Sequence, residues 1–106
     1  MIHTNKNHLE IITKILVKYP YTFYAFGSRA KGTEKKFSDL DLCFFENIPW
    51  NIRAHIDEDF EESNLPFTVD LVDWNMCDDQ FKKIIQKDFV CLQKNFNESS
   101  PKIELS

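Results

Sequence analysis

The 106-residue chain contains only two glycines and four prolines. No segment is apolar for the roughly 20 residues a transmembrane helix needs. The opening Met1-Ile2-His3-Thr4-Asn5-Lys6 does not read as a secretory leader, so the expected setting is the cytoplasm. Cysteines number three, an odd count without a Cys-x-x-Cys pair. His3, His8 and His55 show no ligand spacing with them, which argues against zinc. Cys43 and Cys91 instead read as small core residues. No repeat or low-complexity segment is present. The net charge of −4 argues against a nucleic-acid-binding module, which normally carries a basic face.

What is present points to one small domain. Apolar residues make up 42% of the chain and include ten phenylalanines and two tryptophans, which excludes wholesale disorder. Leu9, Ile12, Ile15 and Leu16 form a helical stripe that ends before Pro20. Pro49 starts a second long helix with Ile52, Ile56 and Phe60 inward. Asp78 or Asp79 caps a third, with Phe81, Ile84 and Ile85 inward. Between these lie β-rich runs. The coarse order is helix, strand, short helix, strand, helix, strand, helix and a strand-like end. It predicts an α/β (α+β) domain over 1–94, a mixed sheet with helices mainly on one face and the site on the other. A polar tail follows over 95–106, where Ile103 and Leu105 are available to a partner.

The chemistry-bearing residues are concentrated in two runs. Both glycines fall in Gly27-Ser28-Arg29-Ala30-Lys31-Gly32, and Ser38-Asp39-Leu40-Asp41-Leu42 follows closely. Tyr21 to Phe26 reads as a buried strand that Gly27-Ser28 ends abruptly. Gly27 can take backbone angles closed to other residues and lets a ligand approach the main chain. Ser28 adds a hydroxyl, and the residues after it can open a short helix whose N–H groups suit a phosphate. Arg29 or Lys31 would add charge, and Lys35 and Lys36 extend the basic patch. In the second run strand alternation turns Asp39 and Asp41 to one side and Leu40 and Leu42 to the other. Adjacent carboxylates repel, and an all-oxygen site suits a hard divalent ion, magnesium or manganese. Taken alone, each run has a bland reading, a solvated basic turn or two solvated aspartates. In this order and this close, they look like a nucleotidyltransferase site.

A third acid, Asp70, lies in the β-rich run from Phe67 to Val72. Paired beside the Asp39/Asp41 strand, it would complete a cluster able to hold two metal ions. Asp73 has the opposite parity and reads as a turn or helix-start residue.

These three segments, with Val69-Asp70-Leu71-Val72 as the last, resemble the minimal nucleotidyltransferases (MNT) of the DNA polymerase β superfamily, over about Leu9 to Leu92. The resemblance implies that Gly27, Ser28 and Arg29 bind the triphosphate of ATP as substrate. It also implies that Asp39, Asp41 and Asp70 are catalytic and ligate magnesium, as two ions. MNT proteins pair with HEPN-domain proteins as antitoxin and toxin. By that likeness the chain would transfer AMP to a tyrosine of a HEPN ribonuclease and silence it. A core of this size leaves little chain to bind an acceptor, so a second protein is expected to supply it. Direct nucleic-acid and membrane partners are not expected. The alternatives are an antitoxin that acts by binding alone, or transfer to a small molecule or an RNA end. The acidic run Asp57, Glu58, Asp59, Glu61 and Glu62 is most simply a solvated helix face, with docking of a basic partner as the sharper alternative. Trp50 or Trp74 is a candidate interface residue, with core packing expected for at least one.

Overall fold

The computed structural model describes residues 2–35 and 38–95. The expected tail, apart from Asn95, and Lys36 of the basic patch lie outside them. Helix α1 (Lys6–Leu16) is capped by Asn5, whose side chain accepts the His8 N–H at 2.8 Å; this satisfies one of the donors every helix start leaves open. Strand β1 (Phe23–Phe26) leads through Gly27 into the one-turn helix α2 (Ser28–Lys31). Strand β2 (Leu40–Phe44), helix α3 (Trp50–Glu61) and strand β3 (Val69–Asp73) follow. A 3₁₀ turn (Trp74–Met76), helix α4 (Asp79–Lys87) and strand β4 (Val90–Gln93) complete the order. It is the order predicted from the sequence.

The sheet runs β3-β2-β1-β4. Strand β1 is antiparallel to both β2 and β4, whereas β2 and β3 are parallel. A parallel neighbour requires a crossover, and α3 supplies it. Alternation along the strands then sorts the sheet into two unlike faces. Phe23, Ala25, Leu40, Leu42, Phe44 and Leu71 meet the buried side of α1 (Ile12, Ile15, Leu16) and of α3 (Ile56, Phe60) in the main core. The other face holds a smaller core of Phe26, Cys43 and Ile85, edged by Phe45, Val72, Trp74, Cys77 and Phe89. Helices α1 and α3 thus cover one face fully, and α4 covers part of the second.

Three packing expectations change. Asp78 does cap α4, accepting the Phe81 N–H at 2.8 Å, but only Ile85 of the predicted stripe is buried. Phe81 and Ile84 are exposed, because α4 crosses the smaller core over a single turn. Cys91 is also exposed: it takes the outer side of edge strand β4, while Val90 and Leu92 on the alternate side pack on the main core. Pro49 sits one position before α3 rather than inside it. The tryptophans divide. Trp74 stacks on Phe45 with ring centroids 5.0 Å apart, whereas Trp50 is 82% exposed.

Candidate active site

The two runs singled out in the sequence meet where β1 ends. Antiparallel register sets Phe26 opposite Asp41, so Gly27 emerges beside the Asp41 carboxylate. Gly27 has φ +80° and ψ −155°, a conformation that L side chains rarely adopt. A Cβ at this position would stand 2.5 Å from Asp41 Oδ2. The main chain therefore reaches the carboxylate at a distance only glycine permits. Beyond it the Gly27 carbonyl accepts the Ala30 and Lys31 N–H groups at 3.1 and 3.0 Å and so folds α2. The Ser28 N–H stands at the first position of that turn, where a helix offers it no carbonyl.

Parallel register brings the third acid in. Asp41 is level with Asp70 across the β2/β3 ladder, about 4.8 Å away as neighbouring strands lie, and both face away from the main core. Asp39 stands one residue before β2, held by the Leu40 N–H donating to the Thr68 carbonyl at 2.9 Å. Asp39 and Asp70 are exposed and Asp41 is half-buried. Burial, with the negative charges of Asp70 and then Asp39, pushes the Asp41 carboxyl up from an ordinary 3.8 to about 6. The three acids expected to act together thus share one electrostatic neighbourhood. Among the described residues no three His, Cys, Asp or Glu side chains form a complete metal cage. Magnesium asks for less, one or two carboxylates plus the oxygens of a bound phosphate chain. The all-oxygen pair Asp41 and Asp70, with Asp39 beside them, fits that demand.

Arg29 is placed differently from the expectation. It is 3% exposed, its Nε donates to the Ser38 carbonyl at 2.9 Å and its Nη1 to the His3 carbonyl at 3.1 Å. Its guanidinium lies 3.9 Å from the centroid of the Phe67 ring. The His3 N–H returns a hydrogen bond to the Arg29 carbonyl at 2.7 Å. A guanidinium engaged in this way ties the amino-terminal segment to the residue that precedes Asp39. These contacts give Arg29 a bracing role that the expectation of nucleotide binding did not include. Asp73 stays a turn residue, accepting the Asn75 N–H at 2.9 Å. Lys31 and Lys35 are exposed near the turn.

The acidic run divides. Asp59 pairs with Lys18 at 2.9 Å and accepts the Tyr19 hydroxyl, fixing α3 against the end of α1. Asp57 is raised by burial despite the opposing charge of Arg53, and Asp70 and Glu61 raise it further. Sequence reading missed this neighbourhood. The spacing of Arg53 and Asp57, four residues apart beside the Ile52-Ile56-Phe60 stripe, is the signal that they share a flank of α3.

Residues 10–97 match the profile of the family described as "Polymerase beta, Nucleotidyltransferase". The chain is 46% identical over 76 residues to the "Probable protein adenylyltransferase MntA" of Haemophilus influenzae, covering 70% of this chain and 67% of that protein. Among solved structures, a toxin-antitoxin with AMP-PNP superposes with a TM-score of 0.65 at 22% identity, over 92% of this chain and 78% of that one. A mutant of the toxin-antitoxin MntA-HpeT does so with a TM-score of 0.63 at 23% identity, over 97% and 80%. At these identities the two structures speak for the fold.

Proposed function

This chain belongs to the polymerase β nucleotidyltransferase family, and on that footing we propose that it is the antitoxin of a HEPN toxin. In this reading it transfers AMP from ATP to a tyrosine hydroxyl of that ribonuclease, in the cytoplasm. The observation that carries the reading is the meeting of the Gly27 main chain, Asp41 and Asp70 at one corner of the sheet. The likeness to a protein adenylyltransferase supports the choice of a protein as acceptor.

In the reaction the acceptor oxygen forms a bond to the α-phosphorus. The bond from that phosphorus to the bridging oxygen breaks, and diphosphate leaves with the electron pair. Gly27 and Ser28 receive the phosphate chain where the main chain is open to it. Asp39, Asp41 and Asp70 would hold the divalent ions, which would supply positive charge against the phosphates and the leaving group. Asp70, exposed on the outer strand, takes the acceptor proton, a role worth about 10²–10⁴-fold in such reactions. Asp41 keeps the phosphate and the acceptor at the fixed spacing of the β2/β3 ladder. Positioning and electrostatics supply most of the acceleration. Arg29 contributes at one remove, by bracing the segment that carries Asp39.

Mass spectrometry tests the reading. The HEPN-domain partner is incubated with this protein, ATP and magnesium. The expected result is a gain on the partner of one AMP or a small multiple, lost in the folded Asp39→Asn/Asp41→Asn variant. Neutralisation of the toxin that survives this variant, with no mass gain on the partner, would assign the antitoxin effect to binding alone.

A further inference from the structure

Among the described residues strand β3 is an edge of the sheet, with β2 as its one ladder partner. Two grooves follow that free edge. The first, about 640 Å³, lies between α3 and the start of β3, and its lining includes Asp57, Glu61, Thr68 and Asp70. Among the described residues every charged one in that lining is an acid. The second, about 470 Å³, continues towards α4 and is lined by Val72, Met76 and Phe81 together with Arg53, Asp73 and Asp78. Leu71 lines both. Between them Arg53 Nη2 donates to the Leu71 carbonyl at 2.9 Å. Met76 is 82% exposed and Phe81 36%. The edge is therefore acidic beside Asp70, and at its far end it presents the exposed apolar side chains of Met76 and Phe81 beside Asp73 and Asp78.

We propose that this edge is the acceptor channel. A basic, extended segment of the partner protein lies along β3, with cationic side chains against Asp57 and Glu61 and apolar ones against Met76 and Phe81. That placement delivers the acceptor hydroxyl to Asp70. The inference rests on the protein-adenylyltransferase reading above and names the chemistry of its acceptor. Three independent features converge on it. Asp70 lines the first groove itself, so a segment seated there is already at the proton-accepting carboxylate. An open strand edge offers unpaired N–H and C=O groups to an added chain. Because Arg53 occupies the Leu71 carbonyl, the segment is held through side chains and the remaining edge groups, not through a full ladder. The acidic lining attracts a cationic segment and repels an acidic one, which selects the partner and speeds encounter.

The test uses three variants of the full chain: Asp57→Lys/Glu61→Lys, Met76→Glu, and the charge-keeping Asp57→Glu/Glu61→Asp. The substituted side chains are solvent-exposed, so the fold survives, and thermal melting verifies it. The HEPN-domain partner is the acceptor at saturating ATP, and calorimetry follows partner and ATP-analogue binding separately. The charge reversal is expected to raise KM for the partner at least tenfold, weaken partner binding to match, and flatten its salt dependence. Met76→Glu should weaken binding several-fold, the charge-keeping variant should resemble the wild type, and ATP affinity should not move. Unchanged partner affinity overturns the proposal, as does an equal loss of ATP affinity. A change in self-association alone also overturns it, by assigning the edge to a second copy of this chain. If the wild-type protein binds the partner but transfers nothing, the activity reading fails while calorimetry still decides the surface.

Discussion

Replacing Asp41 by asparagine should destroy transfer and yet make the protein without ligands more stable. The Asp41 carboxyl titrates near 6 in the fold, against an ordinary 3.8, because of its burial and the charges of Asp70 and Asp39. The fold therefore favours the protonated form. Below pH 3.8 the group is neutral folded or unfolded, and the penalty vanishes. As pH rises through the interval from 3.8 to about 6, the unfolded chain loses its proton first and stability falls. Above about pH 6 the whole penalty is present. At ~1.4 kcal/mol per pH unit the interval corresponds to a ceiling of about 3 kcal/mol. Asp41 is only half-buried, so solvent screening reduces this to on the order of 1 kcal/mol.

Asp41→Asn keeps the shape and removes the charge. For a domain of this size 1 kcal/mol moves the melting temperature by about 4–8 °C. Calorimetric melting of the ligand-free wild type and variant at pH 7.5 should show that gain, and at pH 4 the two curves should converge. Taking the difference between the proteins cancels the titrating groups that do not interact with Asp41. Adding magnesium and a non-hydrolysable ATP analogue should reverse the order, because ligand at 100 times its Kd stabilises the binding-competent protein by about 2.7 kcal/mol. A variant no more stable than the wild type at pH 7.5, or a difference indifferent to pH, would refute the electrostatic account of the site.

Two further substitutions test the corner around it. Gly27→Ala should lower stability by about 1–3 kcal/mol, since alanine must hold a positive φ, and should abolish nucleotide binding because its Cβ would stand 2.5 Å from Asp41 Oδ2; melting and analogue binding read the two effects separately. Arg29→Met should cost about 3 kcal/mol or more, because it leaves the His3 and Ser38 carbonyls without their charged donor. At a temperature where this variant is fully folded, its ATP affinity should change far less than that of Gly27→Ala. An equal loss would return Arg29 to the nucleotide site.

The order of elements was legible because it is written in short-range signals: the stripe through Ile12 and Leu16, the abrupt Gly27 turn, the Asp78 cap. The convergence of Asp41 and Asp70 was legible too, since strand alternation and one assumed pairing suffice to place them together. The bracing contacts of Arg29 were not legible because its neighbours come from afar. His3 lies 26 positions before it, and the Phe67 ring 38 after; only the closed fold shows that they enclose its guanidinium. Phe81, Ile84 and Cys91 were misplaced for a related reason. Periodicity tells which residues share a face, but how far a neighbour covers that face depends on where α4 crosses the sheet.

The two faces of the sheet divide stability from chemistry. Leu40 and Leu42, completely buried and alternating with Asp39 and Asp41 in sequence, belong to the main core, and each such side chain contributes about 1.5–3 kcal/mol by burial. That burial fixes the backbone on which the carboxylates alternate to the other face, so the residues that stabilise the fold also enforce the closeness that destabilises Asp41. The unfavourable pair persists because its register is set by the ladder and the core, not by any attraction between the acids. On the reading proposed above, a protein arranged in this way would hold its repulsion in readiness for cations: divalent ions at the acidic corner of Asp39, Asp41 and Asp70, and, along the acidic edge of β3, basic side chains of the acceptor. Relief of the same crowding at both places would couple metal, nucleotide and partner binding, so each should tighten the others.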